Sequence, residues 1–152
     1  MRVAQELHIE KGATLLANND FAAWDNGSVG SAIITAKQRG QTHIAITGEG
    51  TVDGQGQVFW REMEKPGKHL MFRPHTVDFV GVDHAVLADT VYVNGPNHIL
   101  ELGCDHCELS GVTVLNPPST GDCAKTNTCS HNTDAVDVHG SPFWVHDVNV
   151  RS

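Results

Sequence analysis

The sequence predicts an all-β chain wound as a right-handed parallel β-helix, and three observations predict it. Short apolar runs of alternating character, bounded by Gly, Asn, Asp or Pro, take the place of amphipathic helices. One segment recurs: Asp83–Asn94 aligns with Asp105–Asn116 at an offset of 22, bringing Leu87 onto Leu109, Tyr92 onto Val114 and Asn94 onto Asn116. A third copy, Phe143–Val150, aligns at an offset of 36, with Val145 on Leu109, Val148 on Val112 and Val150 on Val114. The surplus of 36 over 22 is what an inserted loop at about residues 117–131 would add, and that stretch is rich in Pro, Ser, Thr and Asn. Repeats of about 20–25 residues that hold two or three short strands stack like residue on like. A leucine-rich solenoid would need a denser Leu pattern. A two-sheet sandwich would account for the strands but not for the register.

In chain order, Ser31–Ala36 reads as a strand because its centre is β-branched, although a helix is the alternative. His43–Ile46 is the next strand. The glycine-rich Gly48–Gly56 reads as a tight turn; its third glycine falls one residue late for a dinucleotide fingerprint and no helical pattern follows. Val86–Ala88, Val91–Val93, Val112–Val114 and Trp144–His146 are further strands. Residues 1–152 read as one β-helix domain.

The chain has 152 residues, with 10 Lys+Arg against 18 Asp+Glu and a formal net charge of −8. That balance argues against nucleic acid as a partner, since phosphate neutralisation needs clustered cations. No apolar run is long enough to span a membrane, and the first residues do not read as a signal peptide. Cys123 and Cys129 both lie in the inserted loop, so a disulfide between them is expected in an oxidising compartment. A zinc ribbon is the alternative for Cys104, Cys107 and Cys123, but the last spacing is too wide for paired knuckles. Cys107 takes the repeat position of Ala85, which suits a small buried residue, and Cys104 has no assigned partner. Neither a metal nor a cofactor is expected. Of the ten histidines, His84 and His106 share a repeat position and should stack at a turn.

Among the carboxylates, Asn132-Thr133-Asp134 with Asp137 three residues on follows the inserted loop directly. The offset of 36 puts Asp134 at the position of His98 and Asp137 at that of Glu101. Asp134 thus begins a strand where a cleft wall would form. Taken alone, either Asp reads as a turn former or cap before it reads as a catalyst.

Three stretches in order now identify a resemblance. Ile46–Gly56 with Trp60, Asn94-Gly95-Pro96-Asn97-His98, and Asn132-Thr133-Asp134 with Asp137 are similar to segments of glycoside hydrolase family 28, the polygalacturonases and related pectinases. Arg73-Pro74 opens a rung as it does there; Gly95 replaces the family's Ser, and Ala135 the more usual Gly. The resemblance runs from about Leu7 to Ser152 and implies a right-handed parallel β-helix that hydrolyses α-1,4-galacturonosidic bonds of pectin with inversion. Inversion needs one carboxylic acid to protonate the leaving oxygen and one carboxylate to activate water on the other face. The resemblance assigns the water-activating role to Asp134, with His98 in register one rung away as a substrate-binding candidate. The family's later Gly-Asp-Asp, Gly-His-Gly and Arg-Ile-Lys segments are not in this sequence. The chain therefore reads as an N-terminal to central fragment, inactive alone, of a secreted, monomeric parent acting on pectic polysaccharide. A non-catalytic polysaccharide-binding β-helix or inactive remnant is the alternative. A β-elimination lyase would want a Ca²⁺-binding acidic cluster and an Arg base, neither of which is plain.

Overall fold

The computed structural model describes residues 5–25, 32–37, 40–63, 72–117 and 130–151. The strands are β1 (Gln5–His8), β2 (Thr14–Leu16), β3 (Ala32–Ala36), β4 (Thr42–Thr47), β5 (Thr51–Asp53), β6 (His75–Ala88), β7 (Val91–Val93), β8 (Leu100–Ser110), β9 (Thr113–Leu115), β10 (Val136–His139), β11 (Phe143–His146) and β12 (Asn149–Arg151). Two short helices, α1 (Phe21–Asp25) and α2 (Gln57–Met63), complete the described elements.

Every pairing among the described strands is parallel. The two long strands β6 and β8 turn a corner, so each lies on two faces. Their first halves pair with β3 and β10; their second halves continue the row that contains β1, β4 and β11. The third face runs β12-β9-β7-β5-β2. The fold is a parallel β-helix with three faces per turn of chain.

The repeat offsets read from the sequence are the register of the sheets. Leu87 lies beside Leu109 and Tyr92 beside Val114, while Val145 lies beside Leu109 and Val150 beside Val114. Inward residues form ladders along the axis: Ile46–Leu87–Leu109, Val52–Tyr92–Val114 and Phe79–Leu102, all at most 1 % exposed. Burying side chains of this size stabilises by about 1.5–3 kcal/mol each, so these ladders are the core. The offset is not constant, however. Phe79 pairs with Leu102 and Val82 with Cys104, a one-residue slip at a bulge where Gly81 takes φ 66°.

Several local expectations change. Thr51–Asp53, inside the glycine-rich turn, is a strand flanked by turns. The helix α2 went unread because seven residues are too short to show a helical period, yet it buries Phe59 and Trp60 almost completely. The Ser31–Ala36 segment is a strand from Ala32. Cys104, without a partner in the sequence reading, is disulfide-bonded to Cys107. Both are buried, and together they bracket the corner Asp105-His106 inside β8. Their sulfurs are bonded to each other, which removes two of the three cysteines from the zinc-ribbon alternative. Cys123, Cys129 and most of the inserted loop lie outside the described residues.

Candidate active site

The site is built on the first halves of β6 and β8 and on β10. Outward positions alternate with core positions on these strands. Asp78, Glu101 and Asp137 pair in register from one rung to the next and form a carboxylate column. His75 opens β6 and His98 stands just before β8, with ring centroids 5.3 Å apart and the rings nearly perpendicular. Asp134 stands before β10, which opens at Val136, so this residue belongs to the turn and not to the strand itself.

That turn is tied down. Asn132 adopts a left-handed φ of 47°, and Thr133 Oγ1 donates to the Ser130 carbonyl at 2.9 Å. The Asp134 carbonyl accepts the Ile99 N–H at 2.8 Å, which fixes the backbone one rung above His98. Buried Arg73 joins the two turns. Its Nη1 donates to the Pro96 carbonyl at 2.7 Å and also to the His131 carbonyl. One guanidinium thus holds the turn that carries His98 and the turn that carries Asp134. From residue pattern alone Arg73 reads only as a rung opener.

His98 sits among three carboxylates. Its Nδ1 lies 3.1 Å from Glu101 Oε2 and 3.1 Å from Asp137 Oδ2, and its Nε2 lies 3.8 Å from Asp134 Oδ1. His139 Nε2 reaches the other Glu101 oxygen at 3.1 Å. Lys37 pairs with the buried Asp78 at the far end of the column. Burial alone would push the Glu101 carboxyl up. The hydrogen bond from His98 and the charges of His75, His98 and His139 outweigh it and hold Glu101 below its ordinary value. Burial pushes the His75 imidazole down, against the opposing pull of Asp78 and Glu101.

His98, Asp134 and Asp137 bring one donor atom each within 4.8 Å of one another. Asp134 is the most open of the three, its side chain 58 % exposed against 32 % and 31 % for His98 and Asp137. An exposed carboxylate at the rim can take a proton from water, and an imidazole wedged between carboxylates is held in one orientation. Sequence reasoning put His98 beside Asp134 through the offset of 36. It left Asp137 and Glu101 without a role, although the same offset already aligned them. Asp78 was hidden by the slip at Gly81, and nothing in the sequence pointed to Lys37.

Residues 2–148 match the sequence profile of glycosyl hydrolases family 28. The chain belongs to that family. Two endo-polygalacturonases, from Pectobacterium parmentieri and Pectobacterium carotovorum subsp. carotovorum, are 24 % and 23 % identical to it over 154 aligned positions. Each alignment covers 89 % of this chain and 36 % of the relative, so the chain spans about a third of the length of those enzymes. A solved structure described as a glycosyl hydrolase from Parabacteroides merdae superposes with a TM-score of 0.72 at 20 % identity, covering 97 % of this chain and 62 % of that one. That likeness shows the β-helix fold of this family 28 chain. Among the described residues, no helix is long and apolar enough to cross a membrane.

Proposed function

We propose that this family 28 chain contributes one wall of a polygalacturonase-like active site, acting on the α-1,4-galacturonosidic bonds of pectic polysaccharide outside the cell. The observation that carries the reading is the position of Asp134: it belongs to an Asn-Thr-Asp triplet, on the open rim of the outward face, one rung above His98. In an inverting reaction Asp134 takes the proton from the attacking water as that water bonds to the anomeric carbon. A carboxylic acid on the opposite side of the bond protonates the leaving oxygen. His98, hydrogen-bonded to Glu101 and close to Asp137, faces the same opening and is suited to hold the sugar ring in place. A polymeric substrate agrees with an open sheet face better than with an enclosed pocket.

The test is Asp134→Asn in the protein that carries this chain, together with whatever sequence flanks it in the encoding DNA. Reducing-end release from polygalacturonate should fall by roughly 10²–10⁴-fold, since an amide cannot accept the proton. The far-ultraviolet circular dichroism should stay unchanged. Proton NMR of the unmutated reaction should show the β-anomer of the new reducing end first, as inversion of an α bond requires. Near-normal turnover in the variant would sink the role of Asp134. Tight binding of polygalacturonate without any release of reducing ends would establish a non-catalytic polysaccharide-binding β-helix instead.

A further inference from the structure

We propose that the corner formed by Asp83, His84 and His106 is a binding site for a borderline divalent transition metal of the Zn²⁺ type, separate from the cleft. At this corner three successive rungs each place a histidine in the left-handed region, His43 at φ 58°, His84 at φ 60° and His106 at φ 54°. Parallel register then stacks the rings. His84 lies between the other two, with centroids 4.8 Å from His43 and 4.6 Å from His106 and interplanar angles of 6° and 13°.

The stack fixes the ring planes, and two of the three rings converge on one oxygen. Nδ1 of His84 lies 2.9 Å and Nδ1 of His106 lies 3.0 Å from Oδ1 of Asp83. His43 is aimed elsewhere: its Nδ1 lies 2.7 Å from the Thr42 hydroxyl. Two imidazole nitrogens and a carboxylate oxygen, all within 4.8 Å of one another, are a donor set that suits Zn²⁺, Cu²⁺ or Ni²⁺ more than Mg²⁺ or Ca²⁺. Zinc sites place such donors about 2.0–2.2 Å from the ion, so small side-chain rotations suffice here. Zn²⁺ would take the Nδ1 lone pair of each ring in its Nε2–H tautomer, with Asp83 supplying the carboxylate oxygen.

Room for water ligands exists on both sides. A concavity of about 400 Å³ is lined by His43, His84 and His106, and one of about 360 Å³ by Asp83 and Asp105. The corner is also rigid, because the Cys104–Cys107 disulfide brackets His106.

The experiment is calorimetric titration of the full chain with ZnCl₂ at neutral pH. A site at the corner should bind Zn²⁺, and Asp83→Asn, His84→Ala and His106→Ala should each weaken that binding by roughly tenfold or more, as loss of a ligand does. His43→Ala, which removes a stacked ring but no ligand, should retain it. In ¹H–¹⁵N imidazole spectra of the unmutated protein, Zn²⁺ should move the Nδ1 signals of His84 and His106 and leave that of His98. This readout holds even if a variant fails to fold. Absence of Zn²⁺ binding would overturn the proposal. So would loss of binding in His98→Ala with the corner variants unaffected, which would move the site to the cleft.

Discussion

Replacing Arg73 by Met should loosen both halves of the candidate site at once. Arg73 is 7 % exposed, and its guanidinium donates to two carbonyls, of Pro96 and of His131, that belong to turns 23 and 58 residues away in sequence. Hydrogen bonds to charged groups contribute about 1.5–3 kcal/mol each, which sets an upper range of roughly 3–6 kcal/mol for the pair. Two effects reduce that figure. Burial already disfavours the Arg73 charge, drawing its pKa down, so removing the charge recovers part of the desolvation cost. Met also fills the volume of the stem. A net loss of about 2–3 kcal/mol remains. With a urea dependence of about 1–3 kcal/mol/M, the unfolding midpoint should drop by roughly 1 M. Urea unfolding followed by circular dichroism measures this, and the His98 ring resonances report the local consequence, since both turns that flank the His98–Asp134 approach lose their clamp. Arg73→Lys, which keeps a cationic donor, should restore part of the stability. A Met variant within about 0.5 kcal/mol of the parent and with unmoved His98 signals would refute the clamp, because that is the scatter of an ordinary surface substitution.

Other expectations rest on single features. Leu109 is fully buried in the Ile46–Leu87–Leu109 ladder, so Leu109→Ala should cost about 2–5 kcal/mol in the same urea assay. Gly140 has φ 132°, and a Cβ there would lie 2.0 Å from the Cys104 carbonyl oxygen; Gly140→Ala should therefore destabilise by at least about 1–3 kcal/mol, measured by thermal unfolding. Acid should weaken the fold through His75. Its folded pKa lies below the ordinary 6.5, so its contribution is complete above that value and is lost as pH falls towards the folded one. Glu101, also held low in the fold, adds a loss of the same sign further into acid. His75→Gln should flatten the stability profile just below pH 6.5, and an unchanged slope there would remove His75 from the account.

The amino-acid sequence determined the architecture because a parallel β-helix writes its register directly into spacing. Each rung stacks on the previous one, so an inward position must be apolar again one turn later. The pairs Leu87–Leu109, Tyr92–Val114 and Val145–Leu109 were legible from offsets alone. The same rule aligned Asp134 with His98 and Asp137 with Glu101, and paired His84 with His106. What it could not supply was geometry across corners and between non-repeating elements. The slip at Gly81 shifts Asp78 out of the simple repeat, so the third carboxylate of the column emerged only with the strands in place. Cys104 and Cys107 are three apart on one strand, and only the bend in β8 brings their sulfurs together. Arg73 is a single residue with no partner in any pattern. Its reach to two distant carbonyls depends on how the turns are stacked, and hydrogen bonds to main-chain atoms leave no trace in residue identity. Periodic burial is encoded locally and repeated, so sequence reveals it; convergence of side chains from different rungs depends on the path of the chain, so only the tertiary structure decides it.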